Sequence, residues 1–330
     1  MSPDSPNLAT RVAFLRGLCG SDDEAIETHF AWVFLIGDRA WKLRKPVCRD
    51  TMDYRSLEAR RVDSLEDLRL NRRLAPDVYL DAMPLVRLTD GGLAIGGPGE
   101  IVDWLVCMRR LDRNRLLDVQ LARGSVDPES LRPVVRLLAD FYRAAAPAVS
   151  DGAAFVARVA KQVGANQRVL GPAGLAGAQA LSARQREFVA TRPSLLASRA
   201  VSGCVVEAHG DLRPEHLYLG DPPAIIDCLE FDRDLRVLDR AEELSLLELE
   251  CARMGHAAIG QALLRTCLAD LADPAPDALL HFYRSHRAAT RAKLYVWRAS
   301  EPDGGTPGEW LERAGAYVQG ALEDSARSLA

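Results

Sequence analysis

"HGDLRPEHLYLGDPPAIIDCLEF" spans His209 to Phe231. Two aspartates in it, Asp211 and Asp227, lie sixteen residues apart, with Gly220-Asp221-Pro222-Pro223 between them. Glycine and proline together punctuate a chain. The runs on either side, His216 to Leu219 and Ala224 to Asp227, therefore read as the two strands of a hairpin. The second strand is apolar until it places a carboxylate at Asp227. A carboxylate there is costly unless a cation or hydrogen-bond donors meet it. Asp211 has a plainer reading as a turn aspartate. That reading leaves unexplained why His209-Gly210-Asp211 opens a hairpin whose far strand ends in a second acid. Glu230 is a third acid nearby, either a backup ligand or a surface residue.

Outward from this stretch, the chain changes character near residue 112. Beyond it the pattern is mainly helical, with apolar periodicity over 130–146, 153–170, 182–200, 240–255 and 277–300. Before it the pattern is β-rich. Ala31 to Ile36 and Ala40 to Leu43 flank the turn signal Gly37-Asp38. Residues 78–88 and 93–97 flank Asp90-Gly91-Gly92, and Ile101 to Leu111 follows as another strand. Between the strands, residues 54–74 carry Leu57, Val62, Leu65, Leu68, Leu70 and Leu74, a charged amphipathic helix that ends before Pro76. A small β-rich N-terminal lobe (1–106) and a larger, mainly helical C-terminal lobe (107–330) make an α+β, two-lobed plan.

Composition bounds the function. The 330 residues are 48% hydrophobic, enough for a sizeable core. A net charge of −4 and a pI near 5.9 argue against nucleic acid or an anionic membrane as partner. There is no apolar run of 18 residues and no signal-peptide pattern near Arg11 and Arg16. The seven cysteines are scattered, without a C-x-x-C pair, as expected of a cytoplasmic chain with reduced thiols. Composition carries no reading of the oligomeric state.

Phosphoryl transfer asks for a strand cation on the nucleotide phosphates, an acid on a helix to hold that cation, a carboxylate for the acceptor hydroxyl, and ligands for Mg²⁺. Lys42, in "RAWKLRKPV", is the candidate cation. Alone it would read as a solvated strand lysine, but it stands one strand pair before the charged helix. Lys45, beside Pro46, is the rival. On the helix, Glu66 and Asp67 are adjacent, so only one of them can face Lys42. Asp67 shares the side of Leu70 and Leu74 and is preferred, with Glu66 the alternative.

These residues resemble a family. "ETHFAWVFLIGDRAWKLRKPV", "LEARR", "LRLNRRLAPDVYL", "CMRRL", "HGDLRPEHLYL", "IIDCLEF" and "FYRSHRAATRAKLYVWR" together span residues 27–298. The chain is similar in them to the aminoglycoside phosphotransferase-like kinases, and looks nearest to a bacterial branch of uncharacterised small-molecule kinases. The resemblance implies a protein-kinase-like fold and an ATP-dependent transfer to an alcohol group of a small molecule, with Mg²⁺, or Mn²⁺ instead, as the metal. It implies that Lys42 contacts the phosphates, that Asp67 pairs with Lys42, and that the backbone of Val106, Cys107 and Met108 holds adenine. It further implies that Asp211, in its His209-Gly210-Asp211 loop, is the catalytic base and that Asp227 is the principal metal ligand. "ETHFAW" would cover the phosphates. Three departures stand out. His216 occupies the place of the family's usual Asn and is taken as a second metal-site residue. Asp67 is shorter than the usual Glu. No G-x-x-x-x-G-K-[ST] occurs, so the P-loop domain of longer members is not expected here.

Arg284, Arg287, Arg291 and Arg298 share one helical face, at i, i+3, i+7 and i+14. Either they pair with Glu242, Glu243, Glu248 and Glu250, or Arg284, Arg287 and Arg291 mark an acceptor site for an anionic molecule. Asp232, Asp234, Asp239, Glu242 and Glu243 would instead serve a cationic acceptor. Two rival functions remain beside the kinase. One is a pseudokinase-type nucleotide-binding or scaffold module without turnover, favoured by His216. The other is a protein-modifying enzyme on the same fold, although no A-P-E segment follows Asp227 and "DCLEF" lacks the Gly of D-F-G.

Overall fold

The computed structural model describes residues 6–21, 23–49, 52–301 and 305–330. In chain order its main elements are α1 (Leu8–Gly17), β1 (Glu24–Glu27), β2 (Ala31–Ile36), β3 (Arg39–Arg44), β4 (Cys48–Arg49), β5 (Met52–Asp53), α2 (Leu57–Asn71), β6 (Tyr79–Arg87), β7 (Leu93–Ile95), β8 (Glu100–Arg109), α3 (Leu117–Ala122), α4 (Arg132–Ala144), α5 (Gly152–Leu170), α6 (Ala178–Thr191) and α7 (Pro193–Val201). They continue with β9 (Val205–Glu207), β10 (Leu217–Tyr218), β11 (Ala224–Ile225), α8 (Arg233–Arg236), β12 (Val237–Asp239), α9 (Arg240–Arg253), α10 (Ala257–Asp270), α11 (Asp277–Ala299) and α12 (Pro307–Leu329).

Two compact units form. One holds residues 1–125 with 215–235, the other 126–214 with 236–330. The sequence placed the division at 107. By contact it falls later, and the β10–β11 hairpin joins the first unit, because Tyr218 and Ala224 pack with Val78, Tyr79, Val106 and Met108.

The first unit is an antiparallel sheet in the order β1-β2-β3-β8-β6-β7. Alternation along each strand sorts its side chains between two faces. Leu43, Phe34, Leu85, Val102 and Leu105 pack with Val12 and Leu15 of α1. Ala40, Val106 and Met108 pack with Leu68 of α2. Lys42 has the parity of Ala40, so the pleat aims it at the α2 side. Helix α1 was not expected in a stretch read as β-rich. It starts where the Asn7 side chain accepts the Thr10 N–H (2.9 Å).

Helix α2 begins at a Ser56 cap that accepts the Ala59 N–H (3.0 Å). Its buried stripe matches only part of the apolar stripe that the sequence suggested, since Leu68, Leu70 and Leu74 are buried. Val62 and Leu65 are exposed, whereas Arg60, Asp63, Asp67 and Asn71 are buried. Asp63, Asp67 and Asn71 stand at i, i+4 and i+8, one above another.

The second unit is helical around a core that includes Leu170, Leu181, Leu246, Ala288, Ala292, Tyr317 and Val318. The expected helix over 182–200 is two helices, because Pro193 cannot continue the first and fits the start of the second. The short ladder of β9 with β12 leads into α9, and Arg199 ties its end down. The Arg199 guanidinium reaches both Asp239 oxygens (2.7 and 2.8 Å) and both Asp273 oxygens (2.5 and 2.7 Å). No described helix is long and apolar enough to cross a membrane.

Candidate active site

In the first unit the polar ladder of α2 meets two cations from β3. The Lys42 ammonium lies 2.8 Å from Asp67 Oδ2 and 3.3 Å from Asp227 Oδ1. Asp67 has no exposed surface. Glu66, the alternative, faces away and pairs with Arg69 (2.7 Å), so Asp67 is the partner of Lys42. The rival Lys45 bonds Glu27 (2.6 Å) and the Thr28 carbonyl (2.7 Å), at the β1–β2 turn that closes "ETHFAW". Arg44, two residues after Lys42 and on the same face, bonds Asp63 and Glu230 and stands 3.4 Å from Asp67. The sequence singled out neither Arg44 nor Asp63. Burial opposes the charge on Lys42 and Arg44 adds to that, yet Asp67 and Asp227 outweigh both and hold the ammonium above its ordinary range.

Asp227 sits past the end of β11 with φ +60, a left-handed conformation that is uncommon outside glycine. Two side chains pin it there. The Tyr79 hydroxyl accepts the Asp227 N–H (3.0 Å), and Asn71 Oδ1 accepts the next N–H, that of Cys228 (2.9 Å). Asn71 in turn donates to Asp67 Oδ1 (2.7 Å). The helix acid and the half-exposed carboxylate are thus held by one network. His216 lies in a 3₁₀ turn ahead of β10, not on the strand, and is almost fully buried. Its Nε2 is 3.7 Å from Asp227 Oδ2.

Among the described residues no group of three or more His, Cys, Asp or Glu side chains closes around a metal position. The donor set fits Mg²⁺ all the same. That ion takes one or two protein carboxylates and leaves its other positions to water and phosphate. Asp227 is an open, rigidly held carboxylate, and of the charged groups named, two cations stand against four carboxylates.

The adenine expectation is corrected. Val106, Cys107 and Met108 lie in β8 between β3 and β6, opposite Lys42, Trp41 and Ala40 on one side and Ala82, Asp81 and Tyr79 on the other. The backbone groups of a strand flanked on both edges go to its neighbours. The chain leaves the sheet only after Arg109, whose N–H still bonds Val78.

In the second unit the His209–Asp211 loop is built from behind by Glu243. That buried carboxylate accepts the N–H groups of His209 (3.1 Å) and Gly210 (2.5 Å) and the Tyr142 hydroxyl (2.6 Å). Burial pushes its pKa up, against those three donors. Gly210 has φ +93, which a side chain would strain. Arg287 donates to the Gly210 carbonyl (2.9 Å). His209 was grouped with the catalytic residues. It is fully buried, and its Nδ1 accepts the Asp211 N–H (3.3 Å), so it positions the loop and does not meet a substrate. Arg213 holds Asp211 Oδ2 (2.9 Å), and Arg291 lies 3.8 Å from Oδ1.

The arginine stripe divides. Arg284 is spent on Glu248 (2.6 Å) and Asp324 (3.1 Å). Arg287 supports the loop, and Arg291 stands between Asp211 and Glu250 (3.6 Å). The expected pairing with glutamates holds for Arg284 with Glu248, Arg287 with Glu242 (4.0 Å) and Arg291 with Glu250, while Arg287 and Arg291 also meet the loop. Arg213 was not foreseen, although it lies two residues from Asp211.

The whole chain has the protein-kinase-like fold in the form that the aminoglycoside phosphotransferases and choline kinases share. It is similar in structure to wild-type aminoglycoside 2'-phosphotransferase-IIIa, solved as its GDP complex (TM-score 0.54, 14% identity, 98% of this chain and 99% of that one). It is also similar to a choline/ethanolamine kinase family protein from Mesorhizobium loti (TM-score 0.56, 14% identity, 97% and 96%) and to choline kinase from Cryptosporidium parvum (TM-score 0.55, 9% identity, 98% and 96%). In sequence it is similar to uncharacterized proteins of Mycobacterium tuberculosis and Mycobacterium bovis, each 35% identical over 283 residues. The match covers 83% of this chain and 55% of theirs, so the chain spans about half the length of those relatives. No protein-family model matches it.

Proposed function

We propose that the protein is an ATP-dependent phosphotransferase acting on a hydroxyl group of a small molecule. The observation that carries this is the buried Lys42–Asp67 pair whose ammonium also touches Asp227 (2.8 and 3.3 Å). A stability role alone does not call for a half-exposed carboxylate held in a left-handed conformation beside that pair. Lys42 binds the nucleotide phosphates. Asp227, with His216 beside it, would hold Mg²⁺, which when bound neutralises phosphate charge. Adenine lies against the connector after Arg109. Asp211 takes the proton of the acceptor hydroxyl as its oxygen bonds to the γ-phosphorus and the bond to the ADP oxygen breaks. Arg213 fixes the plane of the Asp211 carboxylate for that step. The kinase titles of the structural neighbours support the reading and leave the acceptor open. The pairing of His216 with Asp227 favours a retained metal site over a pseudokinase.

The test is a thermal-shift series with nucleotide–metal pairs, followed by acceptor screening for ADP release. At about 100 times its Kd, a ligand that binds only the folded state adds ~2.7 kcal/mol. Asp227→Ala should lose the metal-dependent part of the shift. Asp211→Asn should keep the shift and lose transfer, because its carboxylate acts on the acceptor. The absence of a shift with any nucleotide–metal pair would defeat the proposal.

A further inference from the structure

Consecutive backbone N–H groups from Ile225 to Cys228 are each fastened to a different carrier. The Ile225 N–H donates to the Leu74 carbonyl just after α2 (3.3 Å), and the Ile226 N–H to the His216 carbonyl (3.0 Å). The Asp227 N–H goes to the Tyr79 hydroxyl at the start of β6 (3.0 Å), and the Cys228 N–H to Asn71 Oδ1 at the end of α2 (2.9 Å). The first two acceptors are backbone carbonyls, which most residue types supply. The last two are side chains. They hold the peptide planes on either side of the Asp227 Cα, and those planes define its left-handed φ of +60. A residue held in that region persists only where its surroundings over-determine it.

The Asn71 amide can face only one way. Its nitrogen donates to Asp67 Oδ1 (2.7 Å) and to the Asp67 carbonyl (2.9 Å), which uses both of its hydrogens. Its oxygen is therefore the atom left for Cys228, and turning the amide round would set oxygen against oxygen. Asn71 and Tyr79 are both buried, whereas the Asp227 side chain is half exposed. Buried groups that fix an open carboxylate from behind are what orients a metal ligand. The two supports differ in reach. The Tyr79 hydroxyl acts on the Asp227 N–H. Asn71 also holds Asp67, whose other oxygen meets Lys42 at 2.8 Å.

We propose that Asn71 and Tyr79 are positioning residues of the phosphotransferase site. Together they set the direction in which the Asp227 carboxylate meets a divalent cation, and Asn71 ties that direction to the Lys42–Asp67 pair. The proposal rests on the phosphotransferase reading for the cation and the nucleotide; the hold on the Asp227 backbone does not depend on it.

Tyr79→Phe keeps the ring in the core beside Leu68 and Val78 and removes only the hydroxyl. Asn71→Leu removes both roles of the amide. Mn²⁺ is the metal probe, its free ion counted by electron paramagnetic resonance in saturating ADP, and metal-free ADP binding is measured by calorimetry in EDTA. Tyr79→Phe should weaken Mn²⁺ binding about tenfold and leave metal-free ADP binding as in the parent. Asn71→Leu should weaken Mn²⁺ binding ~10–100-fold and weaken metal-free ADP binding as well, because Asp67 loses a donor. Unchanged Mn²⁺ affinity in Tyr79→Phe, or equal loss of both ligands there, would overturn the proposal. Amide exchange of the ligand-free protein, read residue by residue, tests the hold itself. Exchange should quicken at Asp227 in Tyr79→Phe and at Cys228 in Asn71→Leu, and parent rates at both would overturn the hold. Tyr79→Phe decides it should Asn71→Leu not fold. Exchange needs no nucleotide, so a parent that binds no ADP would defeat the phosphotransferase reading while the exchange rates still decide the hold.

Discussion

Removing Asp67 should cost more stability than removing Lys42, and the reason is countable. Asp67 Oδ2 meets Lys42 at 2.8 Å and Arg44 at 3.4 Å, while Oδ1 accepts from Asn71 at 2.7 Å. Asp67→Leu therefore strips three buried donors together. Loss of one partner from a buried pair costs about 3–5 kcal/mol, and ~4 kcal/mol lowers Tm by roughly 8–16 °C in a unit of this size. Lys42→Met leaves Asp67 with Arg44 and Asn71, and leaves Asp227 half exposed to water. It should cost only ~1–2 kcal/mol, or roughly 2–8 °C. The functional order is reversed. Lys42→Met should remove the nucleotide-dependent shift, while the double variant should be more stable than Asp67→Leu alone, because the buried Lys42 ammonium, left with Asp227 as its one carboxylate among those named, is then gone too. Calorimetry with and without ATP and Mg²⁺ reads all of these. Lys42→Met proving the more damaging to stability, or keeping its full nucleotide shift, would refute the reasoning.

Three further outcomes are expected. His216→Asn should shift metal preference from Mn²⁺ toward Mg²⁺, since imidazole suits Mn²⁺ better than Mg²⁺ and an amide oxygen suits Mg²⁺; equal activity ratios in parent and variant would remove His216 from the metal site. Lys293 binds its proton less tightly folded (about 8) than unfolded (~10.4), so the unfolded chain carries more protons between those values and stability rises with pH across that window. Lys293→Met should therefore stabilise the protein by about 1–2 kcal/mol at pH ~7, with the gain fading by pH ~10; a variant less stable than the parent at neutral pH contradicts this. Arg199→Met leaves Asp239 and Asp273 buried without their shared fork, and should cost about 3–5 kcal/mol in urea unfolding without changing the nucleotide shift of the first unit.

What the sequence showed and what it hid follow one line. Asp227 could be placed because an acid ending an apolar strand is conspicuous, and Lys42 because strand parity aims it at the neighbouring helix. Asp67 could be preferred to Glu66 because adjacent helical residues point apart. Asn71 and Tyr79, which pin Asp227, gave no such signal. Their roles depend on pairings across 157 and 148 residues. The buried face of α2 was only partly foreseen, Leu68, Leu70 and Leu74 being buried but Val62 and Leu65 exposed, for a related reason. Leucine spacing suggested the core, but the core side is set by what α2 meets, and it meets Lys42 and Arg44. The adenine expectation fell on Val106 to Met108, whose backbone groups go to β3 and β6, because a strand's free edges are known only once its neighbours are. The spacing of Arg284, Arg287 and Arg291 showed a shared face. It could not show that Glu248 and Asp324 take the first, while the other two serve the Asp211 loop.

The two cations of β3 also show why so arginine-rich a chain keeps a lysine at position 42. Arg44 distributes its fork among Asp63, Asp67 and Glu230, holding three acids in fixed directions. A guanidinium suits that task, since its donors are planar and pre-set. Lys42 does something else. Its ammonium is a point charge shared by a buried Asp67 and a half-exposed Asp227, and a point charge can turn a donor toward a third anion without leaving the first two. A guanidinium between the same two carboxylates would be committed in its plane. Lys293 differs again. Among the described residues it has no acid to share, and it faces two guanidinium groups. Burial and those arginines pull its pKa down to about 8, so it can give up its proton where an arginine would not. At position 42 the chain therefore keeps a mobile charge, and at position 44 a fixed one.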